Sequence, residues 1–271
     1  QEMSRGLGDV YKRQLQSDAS VKKITNYITR KVADKLNSIF KNERENLESK
    51  WNDIKVVIEY GMLTEDKFYD KAESFNLYPT VDDKYFTYEE LEKKIKKLQT
   101  DKDGNLIILY AQNKDEQYTF IESAKEKGYE VLLLDSPIIP HLMQKLESKK
   151  EKIKFSRVDS DTLENLIKKD EEVISKLTDE EKEKLKPMIE TAVENEKYTV
   201  QLEALDSNSM PFMLAQPEFM RRMKEMQQTG GGAMGNLPEM YSLIVNTNHE
   251  LVGKILNTRT EKKRNSLIKQ S

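Results

Sequence analysis

Cysteine is absent from this chain, and histidine is nearly so, with two in 271 residues. Without cysteine there can be no disulfide, no thiolate nucleophile and no cysteine metal site. The two imidazoles, His141 and His249, lie far apart in sequence, and neither has the ligand spacing of a HExxH motif. We therefore interpret both histidines as structural or surface residues and expect no metal site.

Long apolar runs and an excess of one charge are also missing. No stretch approaches the roughly 18 apolar residues of a membrane-spanning helix, and we find no charged and then apolar leader. The 45 lysines and arginines against 48 aspartates and glutamates give a net charge of −3, which favours neither nucleic acid nor an anionic membrane as a partner. We expect a cytoplasmic protein that binds neither.

The best-defined pattern that is present is a strand, helix, strand unit between Asn105 and Asp135. Two nearly continuous apolar runs, 105–111 and 128–135, flank a polar and helix-permissive segment. Continuous apolar character is typical of parallel strands that are covered by helices on both faces. Because no glycine-rich phosphate loop follows either run, we interpret this sheet as a scaffold.

Other periodicities extend this unit into a first domain. An alternating strand follows it at 153–158. Upstream, an apolar stripe at steps of three and four residues predicts an amphipathic helix: Ile24, Ile28, Val32, Leu36, Ile39 and Phe40. We predict an unassigned tail at 1–14, and then helices followed by a small parallel α/β sheet over residues 15–158.

A second domain is predicted over residues 159–271. Its first part, 159–196, is dominated by Lys, Glu and Asp, as in solvated helices that join two domains. Alternation at 198–204 predicts a half-exposed strand, and 240–246 is a similar strand. This domain is therefore predicted to be α+β, and the whole chain a mixture of α+β and α/β structure.

Methionine is concentrated between these two strands, because seven of the 11 methionines fall between Met210 and Met240. Pro217 suits the first turn of a helix, and one face of that helix is then apolar: Phe219, Met220, Met223 and Met226. Methionine faces adapt to varied apolar partners. Two interpretations stay open: the face binds other proteins, or it packs on the sheet of its own domain.

The order of several segments resembles the heat shock protein 90 family. The resemblance runs over about 15–256 and rests on four stretches: Leu15–Leu36, Leu77-Tyr-Pro-Thr80 with Tyr85–Leu91, Asn105–Asp135 and Leu243–Val252. Thr247 stands where the family motif usually has proline. The resemblance implies a chaperone fragment that binds unfolded client proteins. The implied client contacts are Phe212, Met213, Leu214, Phe219, Met220, Met223 and Met226, with Trp51 as a second apolar contact or a core residue.

The resemblance also implies what the longer family members add. Their nucleotide-binding domain would precede residue 15, so we expect no enzymatic activity and no cofactor in this chain, whereas ATP and Mg belong to the full-length family. The full-length family forms homodimers through helices that would lie largely beyond residue 271. Two alternatives remain: a structural coupling module without client binding, and a small α/β enzyme with His141 as base and Asp135 as its orienter.

Overall fold

The computed structural model of the protein describes residues 23–169, 173–193, 197–230 and 240–270. The predicted tail at 1–14 lies outside these residues. The chain forms two compact units, Gln1–Tyr78 with Tyr85–Glu89, and Pro79–Lys84 with Glu90–Ser271. This division differs from the predicted boundary between 158 and 159, because the parallel sheet and the segment after it share one unit. In the described parts of the chain, no helix is long and apolar enough to cross a membrane.

The first unit is helical. Its helices are α1 (23–42), α2 (Arg44–Ser49), α3 (Trp51–Thr64) and α4 (Asp66–Ala72). The predicted amphipathic helix is present as α1, although Ile24, Ile28 and Val32 on its apolar stripe are exposed. A Cβ atom on Gly61 would lie 2.9 Å from the ring of Phe68, so glycine allows α3 and α4 to pack closely.

The parallel sheet of the second unit has the strand order β4-β3-β5. The strands of this sheet and the helices between them are β3 (Leu106–Ala111), α6 (Tyr118–Glu126), β4 (Val131–Leu133), α7 (Ile139–Lys149) and β5 (Ile153–Arg157). They are preceded in the chain by a short two-stranded sheet, β1 (Tyr78–Pro79) with β2 (Tyr85–Phe86), and by helix α5 (Tyr88–Gln99). Leu109 pairs with Val131 on one side of β3, and Ile108 pairs with Phe155 on the other. All six β3 residues are 0–6% exposed. The predicted parallel, internal strand is thus confirmed.

The later part of the second unit is α+β, as predicted. Its elements are α8 (Leu163–Leu166), α9 (Asp179–Val193), β6 (Tyr198–Glu203), β7 (Phe212–Ala215), α10 (Glu218–Gly230), β8 (Tyr241–Asn246), α11 (Glu250–Asn257) and α12 (Glu261–Gln270). The strand order is β6-β8-β7, with β6 parallel and β7 antiparallel to β8. The side chains of α9, α11 and α12 form an apolar core with the sheet.

A buried polar turn follows β8. The Asn246 Oδ1 atom accepts from the backbone N–H groups of Leu205 at 3.3 Å and Asn248 at 3.0 Å, and its Nδ2 atom donates to the Asp206 carbonyl at 2.7 Å. Thr247 donates its backbone N–H to the Glu203 carbonyl at 2.8 Å, a bond that proline could not make. The turn therefore ties the end of β8 to the segment after β6.

Candidate functional site

Helix α10 divides the methionine segment into two opposite sides. With about 100° between successive residues, four charged side chains fall within one sector of about 100°: Glu218, Arg221, Arg222 and Glu225. The apolar side chains fall on the other side: Phe219, Met220, Met223 and Met226. We call these the charged side and the methionine side.

The charged side faces the interior of its unit. Arg221 is only 3% exposed. The Glu218 Oε1 atom accepts from the Tyr110 hydroxyl at 2.8 Å, from Arg221 Nη2 at 2.7 Å and from Arg222 Nε at 2.6 Å. Its Oε2 atom accepts the backbone N–H of Arg157 at 3.2 Å. One carboxylate of α10 therefore has donors from β3, from β5 and from its own helix.

Arg222 extends these contacts to α7. Its Nη1 atom donates to Glu147 Oε2 at 2.8 Å, and its Nη2 atom donates to the Phe155 carbonyl at 2.5 Å. Glu147 in turn accepts the backbone N–H of Phe155 at 2.7 Å through Oε1. Arg221 also donates to the Tyr110 hydroxyl, and its guanidinium carbon lies 5.6 Å from the centre of the Tyr110 ring. We call Tyr110, Glu147, Glu218, Arg221 and Arg222 the ionic cluster.

The electrostatics keep this cluster charged at neutral pH. Burial by itself would raise the pKa of Glu218, but the positive charges of Arg221 and Arg222 outweigh it and hold that pKa below its ordinary value. Burial, with the charge of Glu218 added to it, raises the pKa of the Tyr110 hydroxyl. Glu218 is therefore a carboxylate and Tyr110 a neutral hydroxyl, as the hydrogen-bond pattern requires.

The methionine side lies away from the cluster. Phe219 is 70% exposed, and Met220, Met223 and Met226 are half-buried. In β7, the strand that precedes α10 in the chain, Leu214 is 43% exposed and Phe212 is half-buried. The structure thus leaves apolar surface on α10 and β7 where sequence reasoning placed client contacts.

Two of the predicted contacts are not on the surface. Met213 is buried in an apolar cluster with Leu205, Ala215 and Ile244, because it points to the inner face of β7. Trp51 is 1% exposed, in the core of the first unit. Neither side chain has surface to offer to a partner, and the interpretation of Trp51 as a core residue fits the structure.

The enzyme alternative places two residues around the end of β4. Asp135 is exposed, and His141 is half-buried in the first turn of α7. Their pairing as base and orienter stays a prediction. Among the residues that the structure describes, no group of three or more His, Asp or Glu side chains could hold a metal ion.

Comparison with known proteins identifies the family. The family model described as Hsp90 protein matches residues 9–271. The chain belongs to the Hsp90 family. This Hsp90-family chain is 47% identical to the chaperone protein HtpG of Bacteroides thetaiotaomicron over 247 residues, which is 89% of this chain and 36% of that protein. It is 44% identical to the HtpG of Porphyromonas gingivalis (strain ATCC 33277) over 252 residues, 91% of this chain and 37% of that protein.

These relatives are longer than this Hsp90-family chain, which spans about a third of their length, 36–37%. Among solved structures, the middle domain of a Plasmodium falciparum heat shock protein is similar over 50% of this chain and 55% of that chain, with a TM-score of 0.40 and 16% identity. So low a score supports no argument. The family membership rests on the sequence matches.

Proposed function

We propose that this chain is a client-binding part of an ATP-driven chaperone, and that the methionine side of α10, with Leu214 and Phe212 of β7, contacts apolar segments of unfolded proteins. The observation that carries this proposal is the 70% exposure of Phe219 on a helix whose charged side forms hydrogen bonds and ion pairs with β3 and α7. An exposed apolar group that adjoins further apolar groups is typical of an interaction surface.

The physical gain comes from removing apolar surface from water, at roughly 25 cal/mol per Å² before the costs of ordering the client. Methionine side chains are flexible and polarisable, so they fit many apolar shapes without favouring one. The expected binding is therefore weak and broad. The chaperone names of the HtpG relatives support this assignment.

Other parts of the proposal concern the longer protein. We propose ATP binding with Mg²⁺, ATP hydrolysis and homodimer formation for the longer protein, and client binding without catalysis for the residues described above. We place the protein in the cytoplasm, with unfolded proteins as its partners and without nucleic acid or membrane binding.

The test measures whether this chain, without ATP, suppresses the aggregation of a heat-denatured model protein. A Phe219→Ser, Met220→Ser, Met223→Ser variant should lose most of the suppression, because it loses most of the apolar area of the methionine side. The matched control is Ile28→Ser, Val57→Ser, Tyr60→Ser, which removes three exposed apolar side chains from α1 and α3. Circular dichroism checks that both variants are folded.

Three outcomes are distinct. Loss of suppression in the α10 variant alone supports the proposed surface. Equal suppression by all three proteins rejects this surface. The absence of suppression by the parent chain favours the coupling module instead, for which the ionic cluster between α10 and the parallel sheet is the structural basis.

A further inference from the structure

Helix α10 is attached to its unit in an unusual way. Of the α10 side chains that the structure describes, Glu218 to Met226, the only buried one is Arg221. A typical amphipathic helix buries its apolar stripe and leaves its charges in water. Here charged side chains connect the helix to β3 and α7, and Phe219 on the methionine side is 70% exposed.

Buried ion pairs are sensitive to the loss of one partner. Replacing both charges of a buried pair together can leave the stability of the protein nearly unchanged. Removing only one of them lowers the stability, because the other charge stays buried without compensation. The loss of Glu218 should have the largest effect, because its carboxylate accepts hydrogen bonds from the Tyr110 hydroxyl and from both arginines. The Arg222 guanidinium connects it to Glu147 and to the Phe155 carbonyl.

We propose that Tyr110, Glu147, Glu218 and Arg222 are positioning residues that hold α10 with its methionine side outward, and so control how much client-binding surface is presented. Once these contacts are broken, the apolar side chains are the part of α10 between Glu218 and Met226 that gains free energy from burial. The helix then turns its methionine side toward its own unit. The link to client binding rests on the function proposed above, whereas the orientation of α10 does not.

The orientation can be measured without any client. The chain has no native cysteine, so Phe219→Cys introduces a single thiol whose rate of reaction with a water-soluble disulfide reagent reports the exposure of that position. We expect Glu218→Gln to lower this rate about fivefold, which means that the loss of the buried carboxylate leaves the methionine side outward in roughly a fifth of the molecules. Tyr110→Phe, which removes only a hydroxyl, should lower it less.

The matched control is Glu250→Gln in α11. Glu250 also forms an i,i+4 pair, with Lys254, but the two side chains are 81% and 63% exposed. This substitution removes the same charge from a solvated pair, so the reaction rate at position 219 should not change. Equal rates in the parent, Glu218→Gln and Tyr110→Phe chains overturn the proposal, and so does an equal decrease in Glu218→Gln and Glu250→Gln.

Aggregation suppression, measured with Phe219 intact, separates the two proposals. If the reaction rate and the suppression both fall in Glu218→Gln, the cluster positions a client-binding face. If only the rate falls, the cluster still positions α10, but the proposed client surface is wrong. If suppression falls at an unchanged rate, the positioning role is rejected.

Discussion

The two three-stranded sheets of the second unit differ in how deeply their central strands are buried. The parallel sheet has a central strand, β3, that is 0–6% exposed throughout. The mixed sheet has a central strand, β8, whose first half is only half-buried, and α10, which follows its edge strand β7, is attached by charges to the other sheet. The comparison teaches that apolar burial builds the architecture here, whereas ion pairs orient one helix on it.

The largest expected difference is between the two central strands. Leu109→Ala in β3 should lower the free energy of unfolding by about 3 kcal/mol, because it leaves a cavity in a fully buried strand. Leu243→Ala in β8 should lower it by only about 1 kcal/mol, since Leu243 is half-buried. Urea unfolding followed by circular dichroism measures both. Equal losses would remove the distinction between the sheets.

A smaller effect tests the polar turn that closes the mixed sheet. Asn246→Ala should cost about 2 kcal/mol, because it leaves the N–H groups of Leu205 and Asn248 and the Asp206 carbonyl without their partner. The control is Asn208→Ala at an exposed position, which should change the free energy of unfolding by less than about 0.5 kcal/mol. A loss no larger at 246 than at 208 would show that the turn contributes no stability.

The smallest effect is a pH dependence of opposite sign at two carboxylates. The folded-state pKa of Glu218 lies below its ordinary value of 4.5, so its stabilisation is present above that pH and is lost as the pH falls through the lowered pKa. Burial, opposed by hydrogen bonds from Asn165 and Thr162 and assisted by Asp161 and Glu164, raises the pKa of Glu203. The contribution of Glu203 is therefore greatest at low pH and is lost as the pH rises through its raised pKa.

Urea unfolding between pH 7 and pH 3 separates these contributions. The free-energy difference between the parent and Glu218→Gln should be largest at neutral pH and should shrink in acid, as the pH falls through the lowered pKa of Glu218. Glu203→Gln should be least destabilising, relative to the parent, at neutral pH and become more destabilising in acid. The same sign of pH dependence for both variants would contradict the assigned pKa shifts.

Periodicity was enough to predict much of this fold. The continuous apolar runs around Asn105 and Asp135 predict the parallel strands because only burial on both faces tolerates them. The division of α10 into a charged and a methionine side also follows from spacing. The short strand β7 was missed, since its four residues, Phe212–Ala215, lie within the methionine segment and show no clear alternation.

Spacing could not show which side of α10 faces inward. The groups that decide this, Tyr110 and Glu147, are 108 and 71 residues away from Glu218, in β3 and α7. One local signal was available: Tyr110 lies in an otherwise aliphatic buried strand, and a buried tyrosine hydroxyl needs a hydrogen-bond partner. The burial of Trp51 and Met213 likewise depends on tertiary packing that the sequence pattern does not contain.

The strand order β6-β8-β7 also has a consequence for synthesis on the ribosome. The central strand β8 is the last of the three to be translated, at residues 241–246, after both of its neighbours. A nascent chain that ends before residue 241 holds β6 and β7 without the strand that joins them, and unpaired strand edges are prone to aggregation. Until β8 leaves the ribosome, this part of an Hsp90-family chain is itself the kind of polypeptide that chaperones protect.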